Sequence, residues 1–150
     1  MSDEERTSAI GLARYAREYF DCALAADEVV GQRTGYEVIA PAPVMYLVAH
    51  AIELALKSFL RHKDVSLKDL RSLSHNLENC WSEALDAGIE DFVSLNETEL
   101  ETLQLIGALH ATTELRYIVT GPKTYPVFGP LEKLCKKLLD AICPEVGYSR

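Results

Sequence analysis

The sequence predicts an all-α fold: one domain over residues 1–150, an antiparallel bundle of four to five helices. Three observations carry this. Apolar residues recur at helical spacing, and strand patterning is weak throughout. Two periodic segments open with capping-box pairs, Ser2 with Glu5 and Asn96 with Glu99. Loops rich in Gly and Pro separate these segments, and there is no internal repeat or low-complexity tract. A chain of 150 residues, 48% hydrophobic and 25% charged, can bury about two-thirds of the surface it exposes when unfolded.

The elements follow in order. Ser2 and Glu5 predict an N-terminus helped by Asp3, Glu4 and Glu5, and one long helix to about Val30 that buries Ile10, Ala13, Ala16, Phe20 and Leu24. "GQRTGYEVIAPAP" is a loop, with Gly31 and Gly35 ending the first helix and Pro43 in the first turn of the next. The second helix is "VMYLVAHAIELALKSFLRHK", Val44 to Lys63. "DVSLKDLRSLS" reads as a connector with one helical turn. A third helix runs from His75 to Ala87, capped by Ser74 and stopped by Gly88. A fourth carries "ETELETLQLIGALHATTELRYIV" and stops at Gly121-Pro122; a fifth runs from Gly129-Pro130 to about Ile142 and closes at Pro144.

The second helix raises the functional question, because titratable groups interrupt a segment that otherwise reads as core. At 100° per residue, Tyr46, His50, Glu53, Lys57 and Arg61 share an arc of roughly 80°. Such a stripe is either a solvent edge, with Glu53 and Lys57 as an i,i+4 pair, or the wall of a crevice where partners arrive from other helices or another subunit. A buried Glu53 would demand a cationic or multi-donor partner. Ala49, Ala51 and Ala55 permit close helix packing.

Composition excludes several classes. The net charge of −8 argues against a general nucleic-acid coat. The charge is uneven: Lys57, Arg61, Lys63, Lys68 and Arg71 crowd one stretch, whereas residues 76–115 are acidic and lack Lys and Arg. These are either solvated helix faces or an electropositive patch that holds a phosphate or an acidic surface. Cys22, Cys80, Cys135 and Cys143 show no metal spacing and read as reduced thiols, mostly buried. No Gly-rich phosphate loop, HExxH, nucleophile signature or di-iron carboxylate set is present, so no metal and no cofactor are expected. "MSDEERTSAI" lacks the basic and apolar runs of a secretory signal, and the polar stripe interrupts the one greasy helix. The expectation is a cytoplasmic protein with no membrane segment.

"HAIELALKSFL" (His50–Leu60), "SHNLENCWSEA" (Ser74–Ala84) and "LRY" (Leu115–Tyr117), in that order, resemble the HEPN family of small helical proteins. The resemblance implies a HEPN-like bundle, often dimeric, from toxin–antitoxin, anti-phage or RNA-processing systems. Some relatives are metal-free ribonucleases; others bind nucleotides or act as non-catalytic interaction modules. The nucleolytic members carry an Arg followed four to six residues later by a His. Here Arg116 precedes "YIVTGPKTYPVF", which contains no His, while Arg71 lies only four positions before His75.

The expected function is therefore a dimeric, non-catalytic binding or regulatory module. Tyr46, His50, Glu53, Lys57, Arg61, Arg71, His75 and Arg116 are the candidate binding residues for a nucleotide, an RNA phosphate or a partner protein such as an antitoxin. The alternatives are a metal-independent ribonuclease, with His50, His75 and Arg116 as catalytic candidates, and a purely structural interaction bundle. Glu53 is expected to pair with Arg116, and a homodimer is expected on the second and fourth helices. His62 and His110 read as ordinary helix-face or connector histidines, Tyr117 as core, and Trp81 as packing for the third helix. His75 reads either as a cap-region packing residue or as a ligand contact.

Overall fold

A computed structural model describes residues 1–149. It is all-helical: α1 (Asp3–Arg6), α2 (Ala9–Val29), α3 (Ala42–His62), α4 (Leu67–Ser72), α5 (Leu77–Asp86), α6 (Glu97–Ala111) and α7 (Phe128–Val146). The expected five helices are α2, α3, α5, α6 and α7; α4 is the helical turn expected in the connector, and α1 is the start of the expected first helix, split off from α2.

α3 is the centre, packed against α2, α7, α5 and α6. Its buried residues include Met45, Val48, Ala49, Ile52, Leu56 and Phe59, together with Glu53. It is the one helix among the described residues long and apolar enough to cross a membrane, and 67% of that window is buried by its own chain. The Ser58 hydroxyl donates to the Ala9 carbonyl, and Tyr19 meets His50, so α2 runs antiparallel to α3. Contacts of Phe92 with Phe59 and of His110 with Glu53 give α6 the same sense as α2. α7 runs parallel to α3: Phe128 N–H donates to Val38, and Glu145 lies beside His62.

Both capping boxes form as the sequence predicts, Ser2 with Glu5 and Asn96 with Glu99. Four boundaries differ. The first helix breaks at Thr7, because the Ser8 hydroxyl accepts from Gly11 N–H and opens a second helix there. Ile10, expected in the core, is 50% exposed beside this break. α5 starts two residues later than predicted, because the Asn76 side chain, rather than Ser74, accepts from Asn79 N–H. α6 stops at Ala111, far short of Gly121. Thr112 turns its hydroxyl onto the Ala108 and Leu109 carbonyls, and Thr113 adopts a left-handed conformation (φ 59°). Tyr117, expected in the core, is therefore 69% exposed. α7 passes through Pro144, whose fixed φ suits a helix, and ends at Gly147 (φ 89°). There Gly147 N–H bonds Pro144 and Tyr148 N–H bonds Cys143 in a Schellman arrangement.

Candidate functional site

The middle of the polar stripe of α3 faces α6 and the segment before α5 rather than solvent. There stands Glu53, whose side chain is 5% exposed and fully engaged. Lys57 Nζ, one turn on, donates to Oε2 at 2.9 Å and to the Ser74 carbonyl at 2.7 Å. Two histidines from other segments share Oε1: His75 Nδ1 at 2.8 Å and His110 Nε2 at 2.7 Å. For both to donate, each ring carries its proton on the nitrogen facing Glu53, and the two lone pairs of Oε1 are both used.

Burial alone would raise the Glu53 carboxyl. The hydrogen bonds from His110, His75 and Lys57, with the Lys57 charge, outweigh that and hold it well below the usual carboxylate range. His50 lies one turn before Glu53, stacked against Tyr46 and edge-on to Tyr19 of α2. Burial pushes its pKa down, offset in part by Glu53; His110, Arg116 and His75 push it further down. Its Nδ1 is buried and has no hydrogen-bond partner.

Arg116 does not reach Glu53, contrary to the expected pair. Because α6 ends early, Arg116 sits in an exposed turn, donates from a guanidinium nitrogen to the Tyr46 hydroxyl at 2.6 Å, and lies over the Tyr46 ring. His110 takes the expected place: it is the last-turn residue of α6, 3% exposed, not an ordinary helix-face histidine. Its burial was legible, since Leu103, Ile106, Gly107 and His110 fall at i, i+3, i+4 and i+7 and all are buried. Tyr46, His75, His110, Thr113, Leu115 and Arg116 line a narrow crevice with no space wide enough for a water molecule.

Of the sequence candidates, Tyr46, His50, Glu53, Lys57, His75 and Arg116 come together. Two do not. Arg61 points to the other end of α3, donating to the Thr7, Val65 and Glu4 carbonyls with the Glu4 carboxylate at 3.3 Å. Arg71 is exposed, 3.7 Å from Asp3. The basic stretch is thus largely consumed in holding α1 and Glu53. Trp81 packs in the core as expected. The cysteines are free, with Cys22 exposed and the other three buried; burial raises the Cys80 thiol to about 11 and the Cys135 thiol further. A wider groove between Phe92–Ser94 and Lys133–Ala141 is open, and two of its lysines are paired, Lys137 with Glu99 and Lys136 with Asp140.

No protein-family model matches this chain, and no curated protein or solved structure matches it.

Proposed function

We propose that the chain is a HEPN-like, non-catalytic binding module of the cytoplasm, working as a homodimer, that takes an RNA or nucleotide phosphate at the rim of the Tyr46–His75–Arg116 crevice. One observation carries the reading. Arg116 is exposed, makes no ion pair with a carboxylate among the described residues, and shares its crevice with two histidines. A guanidinium fixed at one edge by a tyrosine hydroxyl presents its remaining donors to an anion. α3 is covered within its own chain, so a second copy would meet α6 and the turn after it, where Leu105, Tyr117, Ile118 and Val119 are exposed. A protein partner such as an antitoxin would use the same surface.

A second reading is metal-independent RNA cleavage. Glu53 holds His75 by Nδ1 and leaves Nε2 uncommitted on the crevice that Arg116 lines. A base and a cation beside one phosphate are what 2′-hydroxyl attack requires. One experiment separates the two: titrate fluorescent single-stranded RNA and ATP in EDTA, following anisotropy and RNA integrity. The binding reading expects salt-sensitive binding of intact RNA, weakened about tenfold in Arg116→Ala. Cleavage that vanishes in His75→Ala replaces it with the nuclease reading. Neither binding nor cleavage removes both.

A further inference from the structure

Three of the four histidines converge on one carboxylate, and the phosphate reading uses only the outer edge of that cluster. The inner edge has different chemistry. A ring nitrogen of His50, a carboxylate oxygen of Glu53 and a ring nitrogen of His110 lie within 4.8 Å of one another. His50 and Glu53 are one turn apart on α3, so their side chains project the same way from a rigid helix. His110 comes from the last turn of α6, directly opposite. The two helices that carry them are anchored by buried neighbours, Ile52 and Leu56 on α3 and Ile106 and Leu109 on α6.

The hydrogen-bond pattern leaves this set incomplete. Lys57 satisfies Glu53 Oε2, and His75 and His110 satisfy Oε1, yet His50 Nδ1 is buried with nothing to bond. A buried polar atom without a partner costs about 1–3 kcal/mol. Its aromatic walls, Tyr46 and Tyr19, offer that nitrogen only ring faces and edges. Of the groups near it, the Glu53 carboxylate and the His110 imidazole are both electron-pair donors. Three such donors around one point are completed by a cation.

We propose that His50, Glu53 and His110 form a site for a divalent transition-metal ion of the zinc type. Two imidazoles and a carboxylate are a donor set that zinc and its neighbours favour over magnesium or calcium, which take oxygen. The ion takes the place of the proton that His110 Nε2 now shares with Glu53 Oε1; that proton leaves to solvent while Nδ1 takes one up, so the ring binds as the other neutral tautomer. The 2.7 Å contact between those atoms opens to about 3.4 Å, the edge expected for donors about 2.1 Å from a tetrahedral ion. His75 keeps the other lone pair of Oε1 and Lys57 keeps Oε2, which fixes the orientation of the carboxylate. The fourth position is left to solvent or to an incoming ligand. This inference is independent of phosphate binding at Arg116.

The test uses the full chain stripped with EDTA and dialysed free of it, with no RNA or nucleotide present. Zinc is titrated calorimetrically, and cobalt(II) is added as a spectroscopic probe. Wild type should bind one zinc with micromolar or tighter affinity, and cobalt should show the intense visible bands of a four-coordinate site. His50→Ala and His110→Ala should each weaken zinc by about 100-fold or more, while His62→Ala should bind as wild type does. Wild type that takes up no zinc overturns the proposal, as does equal affinity in His50→Ala. Should an alanine variant lose its helical circular dichroism, wild-type cobalt decides: nitrogen-ligated four-coordinate bands support the site, and the spectrum of the aqua ion overturns it.

Discussion

Glu53 and Arg61 stand two turns apart on the same stripe of α3, and they are satisfied in opposite ways. Arg61 gives its donors to backbone carbonyls, those of Glu4 and Thr7 at the break between α1 and α2 and that of Val65. Carbonyls do not titrate, so that end of the helix is clamped to the N-terminal segment mainly by groups of fixed charge, with the half-exposed Glu4 carboxylate as a lesser ion pair. Glu53 draws all its partners from side chains that carry or exchange protons: Lys57, His75 and His110. The same helical face therefore holds one contact that rests mainly on groups that do not titrate and one that rests wholly on groups that do. The contrast teaches that burial of charge alone does not mark a site; the chemical kind of the partner does.

The sharpest way to break this contrast is Glu53→Ala. It leaves the Lys57 ammonium and a buried His110 without their acceptor and should cost about 3–5 kcal/mol in chemical denaturation. A variant as stable as wild type would mean that the four groups are not bonded as described.

Acid comes next. Glu53 is faced by Lys57, His75 and His110, and its folded pKa lies below the unfolded value, so its stabilisation is complete above about pH 5.5 and drains away as pH falls through the unfolded value toward the folded one. His50 is faced by Glu53, His110, His75 and Arg116 and is also depressed. Below about pH 6.5 the unfolded chain gains a proton that the folded ring resists. The two effects share a sign. Urea midpoints in EDTA should fall between pH 7 and pH 4 by the equivalent of about 2–3 kcal/mol, and Glu53→Gln should flatten that limb. A midpoint that is level across the range in wild type rules the linkage out.

Arg61→Ala should cost less, about 1–2 kcal/mol, because the freed carbonyls at the break can turn to water. Its penalty should be the same at pH 7 and pH 5, measured by the same urea curves. The smallest effect belongs to Arg116→Ala, which should change stability by no more than about 0.5 kcal/mol, because Arg116 is exposed and bonds only Tyr46. A loss several times larger in thermal melts would place Arg116 in the buried network after all.

The fold was largely legible because helical periodicity and cap chemistry are local. Ser2 with Glu5, Asn96 with Glu99, Pro43 and Gly88 act where the sequence places them. The site was legible only along α3, where the stripe could be drawn by angle. Across helices it was not. The pairing of Glu53 with His110 rather than Arg116 depends on where α6 ends, and that end is set by the Thr112 hydroxyl competing for the Ala108 and Leu109 carbonyls and by the left-handed turn at Thr113. Apolar residues at Leu115, Ile118 and Val119 carry the helical rhythm past the stop, so periodicity alone overran it. The donor set of His50, Glu53 and His110 likewise has no sequence spacing to read, since 57 positions separate Glu53 from His110.

Thr113 gives the crevice a kinetic character. A β-branched residue at φ 59° is held there only by the turn that carries Arg116 over His75 and His110. With no room for even a water molecule inside, a ligand that enters beyond the rim must wait for that turn to swing away. Its measured affinity is then the intrinsic affinity scaled by the fraction of time the turn spends open, and its arrival is timed by the turn rather than by diffusion.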